Sequence, residues 1–426
     1  MHKLKKLLKS LLPKTVRQPI LNFYHLLVAV AANLRYGFPA RGLKVIMITG
    51  TNGKTSTATL IAGMLEHAGR NVGVNTTAFY RYGGQTVNKK SSRTLEDIFV
   101  LQNMLASMKK AGCEYIVLEA TSQGLDQNRL WGIPCEVAIM TNLTQDHLDY
   151  HGTMERYAQA KFRLFERRPK FIILNRDDQW FDFFNRSRAV ERKLNYGQYK
   201  SADARITNVK LQPNGSDCAL VVDDKTLNLH TRLAGTFNVY NAVAAALAGY
   251  VLGLSNEEIL AGVDSVAAVP GRLERVDEGQ PFDVVVDYAH TPDALEKVLS
   301  AMRHLTTGKL MLVFGATGDR DRGKRPIMGE TASTYADRLF VTDEETYSED
   351  GAAIRAAIIE GIKKAGGQSK VTEIADRREA IAAAFKEAKK GDSVIITGLG
   401  HELTRNMGGK AIDWNDSDIA RTLLKN

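Results

Sequence analysis

The sequence predicts an α/β protein: a central domain on a P-loop-type parallel sheet with a small antiparallel β insert, followed by a Rossmann-like α/β domain. Three observations carry this. A strand-like run ends in a glycine turn that opens a helical stretch, GTNGKT at 50–55. Strand-like apolar runs alternate with helical spacing through 43–200 and again after 270. Between the two, residues 204–233 switch to a period of two and carry turn signals, Pro213-Asn214-Gly215 and Asp223-Asp224.

Residues 1–42 form an N-terminal helical segment. Positions 2–9 are basic, and 20–34 are mostly apolar but interrupted by Asn22, Tyr24, His25 and Asn33. That run is too broken for a signal peptide and too short to span a bilayer. Two readings fit: a helix packed on the next domain, which is favoured, or a basic amphipathic segment resting on an anionic membrane. The central domain, 43–268, begins with the apolar run Val45 to Ile48 and the turn Gly50, Thr51, Asn52, Gly53, Lys54, Thr55, with Ser56 opening a helix. Converging backbone N–H groups, the helix dipole and the Lys54 charge make an anion site there. Thr55 stands where a hydroxyl ligates a nucleotide's magnesium. The two glycines are closer together than in the generic P-loop. Further strands are expected at 115–121, 137–143 and 171–177, and helices at 95–110 and 237–252. In the C-terminal domain, 269–426, strands are expected at 282–288, 309–317, 338–343 and 392–400, with helices at 293–305, 352–365 and 377–389.

The net charge of +9 suits phosphorylated or carboxylated partners or a membrane surface. No basic tract is interleaved with aromatics, so nucleic acid is not favoured as a partner. Cys113, Cys135 and Cys218 are odd in number and widely spaced, and read as reduced thiols of a cytoplasmic protein.

Glu119 sits at the C-terminal end of a predicted strand, and His147 follows another. Strand C-termini line the ligand crevice of an open α/β sheet, and a carboxylate or imidazole there can ligate phosphate-bound magnesium. Lys161, with Tyr157, Phe162, Leu164 and Phe165 around it, would have a lowered pKa if enclosed. From spacing alone it reads as a snorkelling surface lysine.

GTNGKTST, LEATSQGL, TNLTQDHLDYHGTMERYAQAKF, LAGTFNVYNAVAA, PGRLE, VVVDYAHTPDAL, FGATGDRDRGKRPIMG and GLGHE follow one another as they do in the Mur ligases. The chain most resembles the UDP-N-acetylmuramoyl-tripeptide synthetases (MurE type), over roughly residues 43–405. The resemblance implies a magnesium- and ATP-dependent ligase of peptidoglycan synthesis. It would activate a muramoyl-peptide carboxylate as an acyl phosphate and pass it to a free amino acid. Lys54 would grip the β- and γ-phosphates; Thr55 and Glu119 would hold one magnesium and His147 a second. Lys161 matches the lysine that the family carbamylates. Asn238 would face adenine, and Asp287, Tyr288 and His290 the ribose and base. Arg272 would reach the γ-phosphate from the C-terminal domain once the domains close. Thr76, Thr77, Thr121, Gln127 and Arg129 match positions that contact the muramoyl-peptide. Arg320, Gly398 and Glu402 match the amino-acid pocket. A monomer is expected, in the cytoplasm or at the inner face of the membrane.

Three departures stand out. The family's uridine-binding N-terminal domain has no counterpart. Its D-N-P-R block aligns with Glu344-Glu345-Thr346-Tyr347, so Tyr347 replaces an arginine and Glu345 an asparagine. That favours a cationic amino acid such as lysine or ornithine over diaminopimelate, unless Arg322, Arg325 or Arg405 compensates. Finally, G-K-G-H-E lacks its lysine at Leu399. The alternatives are a Mur-like ligase for another, lipid-linked carrier and a non-catalytic nucleotide-binding subunit. The joint presence of Lys54, Glu119, His147, Lys161 and Arg272 argues against the latter.

Overall fold

The structure, a computed structural model, describes residues 14–89, 94–212 and 214–425. The basic stretch 2–9 and Pro213 of the expected turn lie outside the described residues. The first sheet takes its strands from β1 (Lys44–Thr49), β2 (Val72–Asn75), β3 (Phe79–Tyr82), β4 (Gln85–Asn88), β5 (Tyr115–Glu119) and β6 (Val137–Met140). It continues with β7 (Phe171–Asn175), β8 (Arg192–Gly197), β9 (Ala204–Gln212), β10 (Gly215–Val222) and β11 (Lys225–Thr231). Their order is β11-β10-β9-β8-β7-β6-β1-β5-β2-β3-β4. β1 runs parallel to both β5 and β6, and it is buried from Val45 onward because helices cover both faces. One face carries the helices Lys54–His67, Thr236–Val251 and Asn256–Asp264; the other carries Ile98–Lys110, Met154–Phe162 and Phe181–Asn185.

The expected antiparallel insert exists, but it does not stand apart. β8 pairs in parallel with β7 and with β9, so the antiparallel strands β9, β10 and β11 prolong the main sheet. Asp223 and Asp224 both have positive φ, 47° and 59°, which matches the right-handed twist of the β10–β11 hairpin. The opposite edge, β2 to β4, has no counterpart among the strands read from sequence. Its segments are only four residues long and β4 is exposed throughout, so neither period is visible.

The second sheet comprises β12 (Glu274–Arg275), β13 (Asp283–Asp287), β14 (Leu310–Phe314), β15 (Arg338–Val341), β16 (Val371–Glu373) and β17 (Ser393–Thr397), in the order β12-β13-β17-β14-β15-β16. It is parallel apart from β12. Its C-terminal helix Asp416–Leu424 is tied down by a fully buried fork: Arg377 Nε and Nη2 donate to Asp416 at 2.8 and 2.7 Å, and Nη2 also donates to the Thr397 carbonyl. Removing one partner strands a buried charge. Asp416→Ala is expected to cost about 3–5 kcal/mol, read as a lowered denaturation midpoint. A loss below about 1 kcal/mol, the scale of an exposed pair, would contradict this.

The helix Lys14–Arg35 packs on the first lobe as favoured above. Ala29, Ala32 and Asn33 are buried, and Asn33 Nδ2 donates to the Trp131 carbonyl at 3.0 Å.

Candidate active site

β1 delivers the chain to Gly50, where a side chain would collide with Thr141. At Gly53 φ is 84°, a left-handed conformation that glycine adopts without strain, and a side chain would meet the Asn241 amide. The helix Lys54–His67 starts directly afterwards with no side-chain cap, so its first backbone amides face outward, the geometry of an anion cradle. Lys54 Nζ folds back onto the Gly50 and Thr51 carbonyls at 2.9 and 2.7 Å. Burial lowers its pKa, opposed by Glu119 and assisted by Arg272.

Glu119 ends β5 beside this turn and is fully buried. Its Oε1 accepts from Thr55 Oγ1 and from the Thr77 backbone N–H, both at 2.8 Å, and its Oε2 accepts from Thr77 Oγ1 at 2.9 Å. A hydroxyl and a carboxylate in contact at a phosphate cradle are hard oxygen donors of the kind magnesium takes. Among the described residues there is no group of three or more His, Cys, Asp or Glu side chains that could hold a metal ion. Further ligands would therefore have to come from elsewhere.

Lys161 corrects its reading from spacing. It is 1% exposed, because the helix Met154–Phe162 turns that side inward under the glycine turn. Its Nζ donates to the Gly50 carbonyl at 2.7 Å and lies over the Tyr157 ring at 4.6 Å. Burial first, then the nearby Lys54 charge, drives its pKa well below the lysine value. His147 sits in the left-handed region, φ 54°, uncommon and costly for a non-glycine residue. It packs against the same Tyr157 ring at 6.2 Å and reaches Asp146 at 3.4 Å. Burial lowers its pKa and favours neutral imidazole.

The second lobe closes the site. Arg272 Nη2 donates to Thr55 Oγ1 at 3.4 Å, and its guanidinium stacks on Tyr288 at 4.6 Å. The resemblance places this arginine at the γ-phosphate, and here it stands over the Thr55 end of the glycine turn. Asn52 Nδ2 donates to Asp293 at 2.8 Å, and His290 lies 3.9 Å from Asp146. Gly271 makes the corner possible, since a side chain there would strike the His401 backbone. Asp287 accepts from the backbone N–H groups of Leu273 and Ala289, both at 2.8 Å, so it braces the Arg272 loop.

Two cavities flank the turn. One, of about 780 Å³, is lined by Thr51 to Thr55, Thr77, Glu119, Thr121, Arg129, His147, Lys161, Arg272, Tyr288, His290, Arg320 and Tyr347 among others. The second, of about 640 Å³, is bounded by Asn52, Gly53, Ser56, Tyr240, Asn241, Arg272 and Asp287, together with the helix Pro292–Leu305. Thr76, Gln127, Asn238, Glu345, Gly398 and Glu402 line neither. Thr76 bonds its own turn at Phe79, Gln127 holds Arg129, and Asn238 donates to the Ala234 carbonyl. Gly398 backs onto Glu344. Glu402 stands one residue behind the wall, accepting from Tyr288 at 3.2 Å, and burial pushes its pKa up to about 8.

Sequence reasoning passed over Asp146, a buried carboxylate where the two lobes meet. Burial opposes its charge, but its contact with His147, whose backbone N–H donates to it at 2.8 Å, and the Lys324 charge outweigh burial and hold it below the usual carboxylate range. It also passed over Lys89, which is buried, bonded to the Thr94 carbonyl at 2.9 Å, and lowered to about 8 by burial. Asp146 precedes His147, which was signal enough. Lys89 lies beyond any motif.

The sequence matches the Mur ligase middle domain over residues 48–249 and the Mur ligase, glutamate ligase domain over 271–400. It is 39% identical to the UDP-N-acetylmuramoyl-L-alanyl-D-glutamate--2,6-diaminopimelate ligase of Geobacillus thermodenitrificans, over 93% of this chain and 82% of that protein. The solved structure of a ligase of the same name superposes with a TM-score of 0.63 at 35% identity, covering 91% of this chain and 79% of that one. A Mycobacterium tuberculosis folylpolyglutamate synthase shares the fold, with a TM-score of 0.75 at 19% identity over 94% of this chain and 95% of that one. The chain belongs to the Mur ligase family.

Proposed function

We propose that this chain is an ATP-dependent ligase that joins an amino acid to the carboxylate of a muramoyl-peptide in peptidoglycan synthesis. One observation carries the reading: an arginine from the second lobe meets the Thr55–Glu119 pair over the glycine turn of the first. In this reading the loop amides and Lys54 take the phosphates, whose oxygens are stronger acceptors than the two carbonyls that Lys54 now holds. Thr55, Glu119 and His147 would hold magnesium, which supplies charge neutralisation on the phosphates when bound. A substrate carboxylate oxygen attacks the γ-phosphorus and ADP leaves. The amine then attacks the carboxyl carbon, and phosphate leaves with one carboxyl oxygen. Lys161 completes the site as a carbamate: its neutral amine adds carbon dioxide, loses a proton and becomes an anion. Its lowered pKa and its place under the loop support that role.

The amino acid, we infer, carries a distal ammonium. Glu345 and Glu402 are buried carboxyls with raised pKa values, placed just behind the cavity wall that Tyr347 and Tyr288 form. The arginines that could have replaced the missing guanidinium are engaged elsewhere. Arg322 and Arg325 both pair with Glu349, and Arg405 stacks on Trp414. Arg320 rests on Tyr347, with 5.1 Å between guanidinium and ring centre. Diaminopimelate, named in the relatives, shares the ammonium but adds a carboxylate.

The test is ADP release with magnesium, bicarbonate, UDP-muramoyl-dipeptide and single amino acids. Lysine or ornithine is expected to exceed diaminopimelate by about tenfold or more in kcat/KM, the value of one charged hydrogen-bond pair. Diaminopimelate as the better substrate would overturn the pocket argument, and no release with any amino acid would overturn the ligase reading. Proton linkage gives a second readout. At pH 7 Glu402, raised to about 8, keeps its proton, and a bound ammonium favours its ionised form. Lysine binding is therefore expected to release protons between the ordinary carboxylate range and that value. Calorimetry in two buffers of different ionisation enthalpy measures this; norleucine should release fewer, and equal release would contradict it.

A further inference from the structure

The outer face of the helix Lys14–Arg35 has no part in the site described above. At about 100° per residue, Ile20, Phe23, Leu27 and Leu34 fall within roughly 60° of one another and extend about 21 Å along the axis. They are 43%, 62%, 52% and 65% exposed. Ala29, Ala32 and Asn33 point the other way and are buried, so packing on the first lobe fixes which side faces out. Single exposed apolar residues are ordinary, but a continuous stripe marks a contact surface.

Charge identifies the partner. Residues 1–42 hold eight lysines and arginines and no acidic residue, and the first acidic residue of the chain is Glu66. Of the net +9, +8 therefore lies in this segment and +1 in all the rest. Arg35 and Arg41, at and just beyond the end of the helix, are exposed. An apolar stripe within a segment of unbroken positive sign is the chemistry of a helix lying in the headgroup layer of an anionic bilayer. Among the described residues no helix is long and apolar enough to cross a membrane.

We propose that the helix Lys14–Arg35 lies in the plane of an anionic phospholipid surface, with Ile20, Phe23, Leu27 and Leu34 inserted and the surrounding cations on the headgroups. This goes beyond the ligase reading and stands without it. The test is co-flotation of the full chain with phosphatidylcholine vesicles, with and without phosphatidylglycerol. Flotation is expected only with the anionic lipid and is expected to fall with added salt. Phe23→Gln with Leu27→Gln should weaken it by about tenfold or more, with melting temperature and turnover in solution unchanged. Arg35→Glu with Arg41→Glu, which spares the apolar stripe, should weaken it as well. Wild-type flotation by both double variants overturns the proposal, as does equal flotation with pure phosphatidylcholine. Self-association lost in the Phe23/Leu27 variant, without vesicle binding, overturns it in favour of a second copy of this chain.

Discussion

Replacing Arg272 with alanine is expected to lower kcat by about 10³–10⁵-fold, the range for removing an arginine that neutralises charge on a transferring phosphoryl group. The guanidinium already lies 3.4 Å from Thr55 Oγ1 and is held by the Tyr288 face at 4.6 Å. A guanidinium held this way acts on the charge that develops during phosphoryl transfer, so the loss should fall on kcat more than on KM. Arg272→Lys is expected to recover little, because an ammonium neither stacks as a plane nor presents a fork of donors. Rapid-quench measurement of the first turnover, with ADP affinity as a control for folding, reads the effect. A kcat within tenfold of wild type with unchanged ADP affinity would remove Arg272 from the reaction.

Lys161→Ala is expected to cost about 10²–10³-fold in kcat, the scale for losing one preorganised charge-stabilising group. The side chain is enclosed beneath the phosphate turn, where an unmodified ammonium would add to the positive charge of Lys54. A carbamate reverses that sign. Two signatures separate this role from simple packing. Wild-type turnover should depend on bicarbonate, and the alanine variant should regain part of its activity with formate or acetate, which can occupy the vacated volume as small carboxylates. Neither a bicarbonate effect nor rescue, in a variant that still melts cooperatively, would exclude the carbamate.

Much of this site was legible because its residues sit in short contiguous motifs on strand ends. The glycine turn, Glu119 at the end of β5 and the Pro270-Gly271-Arg272 corner all carry their position in their neighbours. Lys161 was misread because a helix with apolar residues on several sides does not announce which side is buried; here tertiary packing under the Gly50 carbonyl decides. The edge strands β2 to β4 escaped because four residues cannot display a period. The sheet-wide continuity of the antiparallel strands rests on the β8–β9 pairing, of two residue pairs, Tyr196 with Ala204 and Gly197 with Arg205, which no local pattern encodes. The inter-lobe bond of Asn52 to Asp293 and the approach of Asp146 to His290 join positions far apart in sequence and belong to the assembled structure alone.

The central claim is that a phosphate cradle on one lobe and an arginine from the other phosphorylate a carboxyl group before an amine attacks it. Oxygen transfer tests this most directly. With the acceptor peptide's reacting carboxylate labelled with oxygen-18, one labelled oxygen should appear in each inorganic phosphate released and none in ADP. Phosphate free of label, in a reaction that still forms the amide, would contradict the account.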